Sequence, residues 1–286
     1  MRNAIAALLA LGAAALFGVG NALEHREVFE HEGEELDPAL LGRLAKRKRW
    51  WLGMSCDVGA YGLHATALAI GSLVLVQPIL PLNLLFAIPL AARWRHRRVS
   101  HQEIGLAILL CASLAIFLYR AAPSEGAASA SITRWLPALF VIGAAVAATV
   151  GIAQHLHGSQ RAVCLGLGAG LCYGVNSALT KTFAHLVPEG PIAVLTHWEP
   201  YALTIATFVG LWLAQSMFQG AEIGAGLPVN ETVEPITASV LGIALFHESI
   251  SVGAGGNVML LCVAAIVALA CVWRLSQSGA DTLTTA

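Results

Sequence analysis

Charge is what this sequence has least of. Lys, Arg, Asp and Glu together make up 12% of its 286 residues, about half the share found in a soluble globular domain. A chain this poor in charge cannot cover a surface facing water, which excludes an ordinary soluble enzyme or binding module. Paired-cysteine and Cys/His ligand spacings are missing too. Cys56, Cys111, Cys164, Cys172, Cys262 and Cys271 all fall in apolar stretches, so they are expected as small packing residues, not as disulfides or a thiolate metal site. There is no phosphate-cradling glycine loop, nucleophile elbow, HExxH or haem ligand pair. Without these, no enzymatic activity and no cofactor are expected. The basic clusters Lys46–Arg49 and Arg93–Arg98 abut apolar stretches, which fits anchoring at a membrane face and argues against nucleic-acid binding.

Apolar sequence takes the place of charge. The chain is 57% hydrophobic with a mean hydropathy of +0.72. The apolar residues come in blocks of about twenty, the length a helix needs to cross about 30 Å of hydrocarbon. The blocks are continuous, not alternating, so helices are expected and a barrel is not. Nine spans are predicted: Asn3–Leu23, Trp51–Ile70, Leu73–Ala92, Glu103–Ala121, Trp135–Ala153, Ala162–His185, Tyr201–Phe218, Ile223–Phe246 and Ser251–Trp273. The fold class is therefore an all-α integral membrane protein. Very short connections make the second and third spans, and the seventh and eighth, antiparallel hairpins.

The two halves resemble each other. LFGVGNAL (Leu16–Leu23) matches CYGVNSAL (Cys172–Leu179), aligning Gly18 with Gly174, and WRHRRVS (Trp94–Ser100) aligns with LFHESIS (Leu245–Ser251). Spans one to four thus correspond to spans six to nine. The organisation expected is a first four-helix repeat over 1–121 with a cytoplasmic loop at 24–50, a linker helix over 122–160, a second repeat over 161–274 and a disordered tail at 275–286. A shift of five spans gives the repeats opposite orientation, a pattern frequent in transporters. It also argues that MRNAIAALLALG belongs to the fold and is not a cleaved leader.

Lys and Arg set the orientation. With the N-terminus outside, Arg26, the Arg43–Arg49 and Arg93–Arg98 clusters, Arg161 and Arg274 all face the cytoplasm, leaving Arg2, Arg120, Arg134 and Lys181 on the other side. The C-terminus is then inside. Within the long loop, Asp37–Pro38 opens a short interfacial helix. The acidic stretch Glu24–Asp37 is either a cation-gathering segment or a solvated loop.

Polar residues inside the spans are the functional candidates, because a charge at mid-bilayer costs about 2.5–3.5 kcal/mol on insertion scales. Asn230, Glu231 and Glu234 share a helix face, and Pro235 frees a carbonyl one turn back. Together they suit a cation, a substrate amine or a proton. Asp57 lies in the second span with His64 two turns on, and His64 is expected as a hydrogen-bonded packing residue. Gln77 and Asn83, with Pro78 and Pro81, give the third span a proline/polar pattern like that of the eighth. Pro78, Pro81 and Pro235 are the expected hinges. Asn176 and its near-equivalent Asn21 line the cavity or bond to a neighbouring helix. Lys181 is expected as an interfacial anchor, with a counter-ion role as the alternative. Glu231, Glu234 and Asp57 are the candidate metal ligands. Gly166, Gly170 and Gly174 have the spacing of close helix packing.

Glu234–Pro235, followed by ITASVLGIALFHESIS with its closing Glu248, resembles the ending of EamA-type members of the drug/metabolite transporter superfamily. In the first half Arg97 replaces that closing acid. Nine spans, the Trp50–Trp51 pair opening the second span and a proline-containing third span resemble the NIPA-like magnesium transporters more closely. The resemblance implies inverted repeats, alternating access through a central polar cavity, and a solute that is either a divalent cation such as Mg²⁺ or a small metabolite or amino acid. Its partners would be that solute, the bilayer of the cytoplasmic membrane and, in some arrangements, a second copy in a homodimer. The competing expectation is a non-transporting membrane scaffold that recruits partners through its charged loop.

Overall fold

A computed structural model of the chain describes residues 2–29, 46, 48–94, 98–121, 126–217, 223–250 and 258–284. The interfacial helix after Asp37, most of the acidic loop, Arg97 and the connection between the seventh and eighth expected spans lie outside them. The described residues are almost wholly helical. In chain order they are α1 (Arg2–Phe29), α2 (Lys48–Ile70), α3 (Leu73–Val76), a 3-10 segment (Gln77–Leu82), α4 (Asn83–Trp94), α5 (His101–Ala121), α6 (Ile132–Ala153), α7 (Gly158–Leu186), α8 (Pro191–Thr196), α9 (Glu199–Met217), α10 (Ile223–Phe246) and α11 (Val258–Thr284).

Among the described residues, five segments are long and apolar enough to cross a membrane: Arg2–Leu23, Leu73–Leu90, Ile132–Ala153, Gly158–Glu189 and Val258–Leu275. Helices also occupy the other expected spans, but polar residues such as Asn230, Glu231 and Glu234 dilute the hydropathy of α10. Large apolar side chains face outward, among them Phe140 and Val141 on α6, Ile205 on α9 and Ile266 on α11. A soluble monomer rarely exposes that much. The chain is an all-α protein of membrane type with several spanning helices.

Small residues bring the helices together. Ala6, Ala10, Ala13 and Ala14 of α1 are fully buried, as are Ala60 and Ala67 of α2. Along α7, Gly166 lies against Gly226, Gly170 against Asn230 and Val233, and Gly174 against Thr237 and Ala238. On α1, Gly18 lies against Asn83, Phe86 and Ala87. A side chain at any of these positions would drive backbones apart, so van der Waals contact between helix surfaces is the cohesive force here.

The third expected span breaks where its prolines predict. Pro78 and Pro81 fall in the 3-10 segment between α3 and α4, where each removes a backbone donor. The eighth does not break. α10 runs unbroken through both Pro228 and Pro235, so Pro235 is not the expected interruption. The glycine strip of α7 holds α10 along several turns, and that packing outweighs the missing N–H groups. The tail also departs from expectation: α11 continues to Thr284, so most of 275–286 is helical, not disordered. α1 likewise runs past Leu23 to Phe29.

Helix ends are satisfied locally where they can be. Ser100 and Glu103 form a reciprocal capping box at the start of α5, with Ser100 N–H donating to Glu103 Oε2 at 2.7 Å and Glu103 N–H to Ser100 Oγ at 3.1 Å. α3 is capped differently, as described below.

Candidate functional site

A cavity of about 600 Å³ opens among α1, α2, the 3-10 segment, α7, α9 and α10. Asp57, Gln77, Asn83, Asn176, Asn230, Glu231 and Glu234, all singled out in the sequence, line it together with Asn21, His64, Pro81 and Pro235. Pro78 is not in this wall. Six separate segments, α1, α2, the 3-10 segment, α4, α7 and α10, bring these residues to one place, each presenting its polar side inward while its apolar residues face out or into the packed core.

The polar wall is a set of interhelical hydrogen bonds. Asn83 Nδ2 at the start of α4 donates to Glu231 Oε2 on α10 at 3.3 Å. Ser177 of α7 hydrogen-bonds to Glu234. Asn176 Nδ2 donates to Thr207 Oγ1 of α9 at 2.6 Å. Tyr61 of α2 and Thr180 of α7 share a hydroxyl–hydroxyl bond of 2.6 Å. Gln77 Nε2 lies 3.2 Å from His64 Nε2. His64 is buried and meets Phe17 and Tyr61 edge-on, as a packing histidine does. Glu231 is buried and Glu234 half-buried.

The expected metal ligands do not form a metal centre. Among the described residues no group of three His, Cys, Asp or Glu side chains could hold a metal ion. Asp57 lines the same cavity from α2 and lies close to Gly20 of α1, but it does not complete a three-ligand cluster with the pair on α10. Glu231 and Glu234 meet the cavity's amide and hydroxyl groups.

At the start of α3 the geometry corrects another expectation. Lys181 of α7 is not an interfacial anchor. It is buried and makes an ion pair with Glu248, whose side chain has no exposure at all. Its ammonium also stands 5.0 Å from the centre of the Phe246 ring. The same carboxylate accepts the Leu73 N–H at 2.9 Å and the Val74 N–H at 3.0 Å, while Ser72 Oγ accepts the Leu75 N–H at 3.1 Å. The amides of the first turn of α3 are thereby satisfied, two of them by a residue from the far end of the chain. Beside this cross-tie, Trp135 of α6 is fully buried and meets Trp198 at 5.7 Å and Phe246 at 6.2 Å, edge to face. The counter-ion alternative for Lys181 was readable in the sequence; its choice of Glu248, 67 positions on, was not.

Comparison with known proteins gives little chemistry. No family model matches the chain, and no solved structure does. An uncharacterized protein of Corynebacterium glutamicum is 32% identical over 253 residues, which is 87% of this chain and 87% of that protein.

Proposed function

From the geometry above, we propose that this chain, which belongs to one family with the Corynebacterium glutamicum protein, is a transporter or facilitator, not an enzyme, that moves a small solute through the central cavity. The observation that carries the reading is the gathering of two carboxylates and several amide side chains, from separate helices, around one cavity in a chain of membrane type. Polar groups at such depth are costly unless they border a pathway or pair with one another. Glu231 and Glu234 bind the solute. Asn83, bonded to Glu231, and Ser177, bonded to Glu234, orient them.

The reading includes nine spans in two inverted units, with the N-terminus outside and the C-terminus inside the cytoplasmic membrane. A repeated contact supports the two units. On the register that aligns Trp94 with Leu245, Asn83 corresponds to Glu234, Phe86 to Thr237 and Ala87 to Ala238. Gly18 touches Phe86 and Ala87, and its equivalent Gly174 touches Thr237 and Ala238. The likeness of Glu234–Pro235 and Glu248 to the drug/metabolite transporter superfamily points the same way. Bonds between the units are few and polar: Asn83 to Glu231, Tyr61 to Thr180, and Glu248 to Leu73 and Val74. Alternating access would proceed by making and breaking these contacts while the glycine-packed pairs move as bodies.

The test is solute flux in proteoliposomes, screened over cations and small metabolites. Glu234→Gln, an isosteric change, abolishes flux while leaving the chromatographic and thermal behaviour of the protein intact. A variant that transports at the wild-type rate removes Glu234 from the pathway and the proposal with it.

A further inference from the structure

The cavity is chemically one-sided. Three of its amide groups already donate inside the protein: Asn83 Nδ2 to Glu231, Gln77 Nε2 to His64 and Asn176 Nδ2 to Thr207. Several of its acceptors are not. Gln77 Oε1, Asn83 Oδ1 and Asn230 Oδ1 are buried and accept no hydrogen bond, and these side chains are only 0%, 7% and 6% exposed respectively. Folded proteins rarely leave such atoms without a donor. The amide of Asn83 cannot be turned round to relieve this, because its oxygen would then face the Glu231 carboxylate. The carboxylates of Glu231 and Glu234 stand in the same wall. A solute that completes this wall brings N–H donors and positive charge.

Two further features narrow the chemistry. Among the described residues that line the cavity there is no Lys or Arg, and Lys181 is tied to Glu248. A solute carboxylate would find no Lys or Arg among these lining residues and would sit beside Glu231 and Glu234. That disfavours the zwitterionic amino acid that the superfamily resemblance allows. The volume of about 600 Å³, walled by Phe17, Tyr61, Tyr173 and Phe208, has room for an organic body and offers aromatic faces to a cation. A hydrated Mg²⁺, held through one or two carboxylates and its own waters, needs no such apolar room.

We propose that the cavity binds a protonated primary amine that carries an apolar or aromatic body and no carboxylate, its ammonium group held by Glu231, Glu234 and the neighbouring amide oxygens. The proposal rests on the transport reading for its physiological role but is tested by binding alone. The probe is 2-phenylethylammonium, titrated into the full-length protein in nanodiscs and followed by calorimetry. Its comparators are the matched alcohol, the trimethylammonium analogue, phenylalanine and Mg²⁺.

The primary ammonium binds in the expected result. The alcohol and phenylalanine bind at least about tenfold more weakly, because each lacks an unopposed charge for the acidic wall. The trimethylammonium analogue, which keeps the charge but has no N–H, is weakened by a similar factor. Glu231→Gln and Glu234→Gln each reduce binding of the primary ammonium by at least about tenfold. Equal binding of phenylalanine, preferential binding of Mg²⁺, or an affinity unchanged in Glu234→Gln overturns the proposal. The ligand series on the unmodified protein decides the matter even if a variant fails to fold. Binding of the amine without flux refutes transport and leaves the site assignment standing. Flux of another solute with no amine binding does the reverse.

Discussion

Glu248 offers the sharpest test of how this chain is held together. Glu248→Gln keeps the shape of the side chain, so no overlap arises at Gly242, which packs against this carboxylate and against Leu73. What changes is charge. Lys181, 3% exposed, loses its partner, and the Leu73 and Val74 amides keep at most one acceptor oxygen between them. Breaking a buried pair by removing one member costs about 3–5 kcal/mol, and an orphaned buried amide adds about 1–3 kcal/mol. A loss of about 4–8 kcal/mol is expected from these two effects together. At about 2–4 °C per kcal/mol for a chain of this size class, the thermal midpoint in detergent falls by about ten degrees or more. Lys181→Met should fall by a similar amount. The double variant should recover at least about 2 kcal/mol of the summed losses, because the uncompensated charge is gone. A Glu248→Gln midpoint within one or two degrees of the parent would mean that the carboxylate is not the partner of Lys181 in the folded protein. A double variant that loses the full sum would refute the pairing as well.

Two other expectations concern packing. Gly174→Ala places a methyl 2.5 Å from Thr237 Cβ and 2.7 Å from its Cγ2, and should cost about 1–3 kcal/mol by forcing α7 and α10 apart. Gly62→Ala, with nothing within 4 Å, should be neutral or stabilising by up to about 1 kcal/mol, and thermal midpoints of the pair separate close packing from helix propensity. Trp135→Ala opens a void between Trp198 and Phe246 and should cost about 3–5 kcal/mol, with chemical labelling of the free Cys172 and Cys271 unchanged at low denaturant if the loss stays confined to the α6 contact.

Much of the site was readable in advance because oil makes polar residues conspicuous. Asn83, Asn176, Asn230, Glu231 and Glu234 stand out in apolar blocks, and the same energetic pressure that makes them visible turns them toward one cavity. The broken third helix was readable too, since Pro78 and Pro81 fall close together where no long packing strip compensates. The persistence of α10 through Pro235 was not, because it depends on three glycines of α7 that lie some sixty positions away. Which acids meet which partners also escaped the linear pattern. Asp57 looked like a third ligand but does not complete a three-ligand cluster with Glu231 and Glu234, and Lys181 looked like an anchor because nothing near it in sequence is acidic. Pairing of this kind is decided by how helices close on one another.

The cap on α3 has a consequence for biosynthesis. The amides of Leu73 and Val74 wait for an acceptor 175 and 174 positions downstream. While the ribosome is still making the second half, that turn has to find other acceptors for these two amides. Its final seating therefore comes late, after the tenth helix has entered the membrane and delivered the carboxylate at its end, so a chain truncated before Glu248 should leave its third segment unsettled however well the preceding hairpin has inserted.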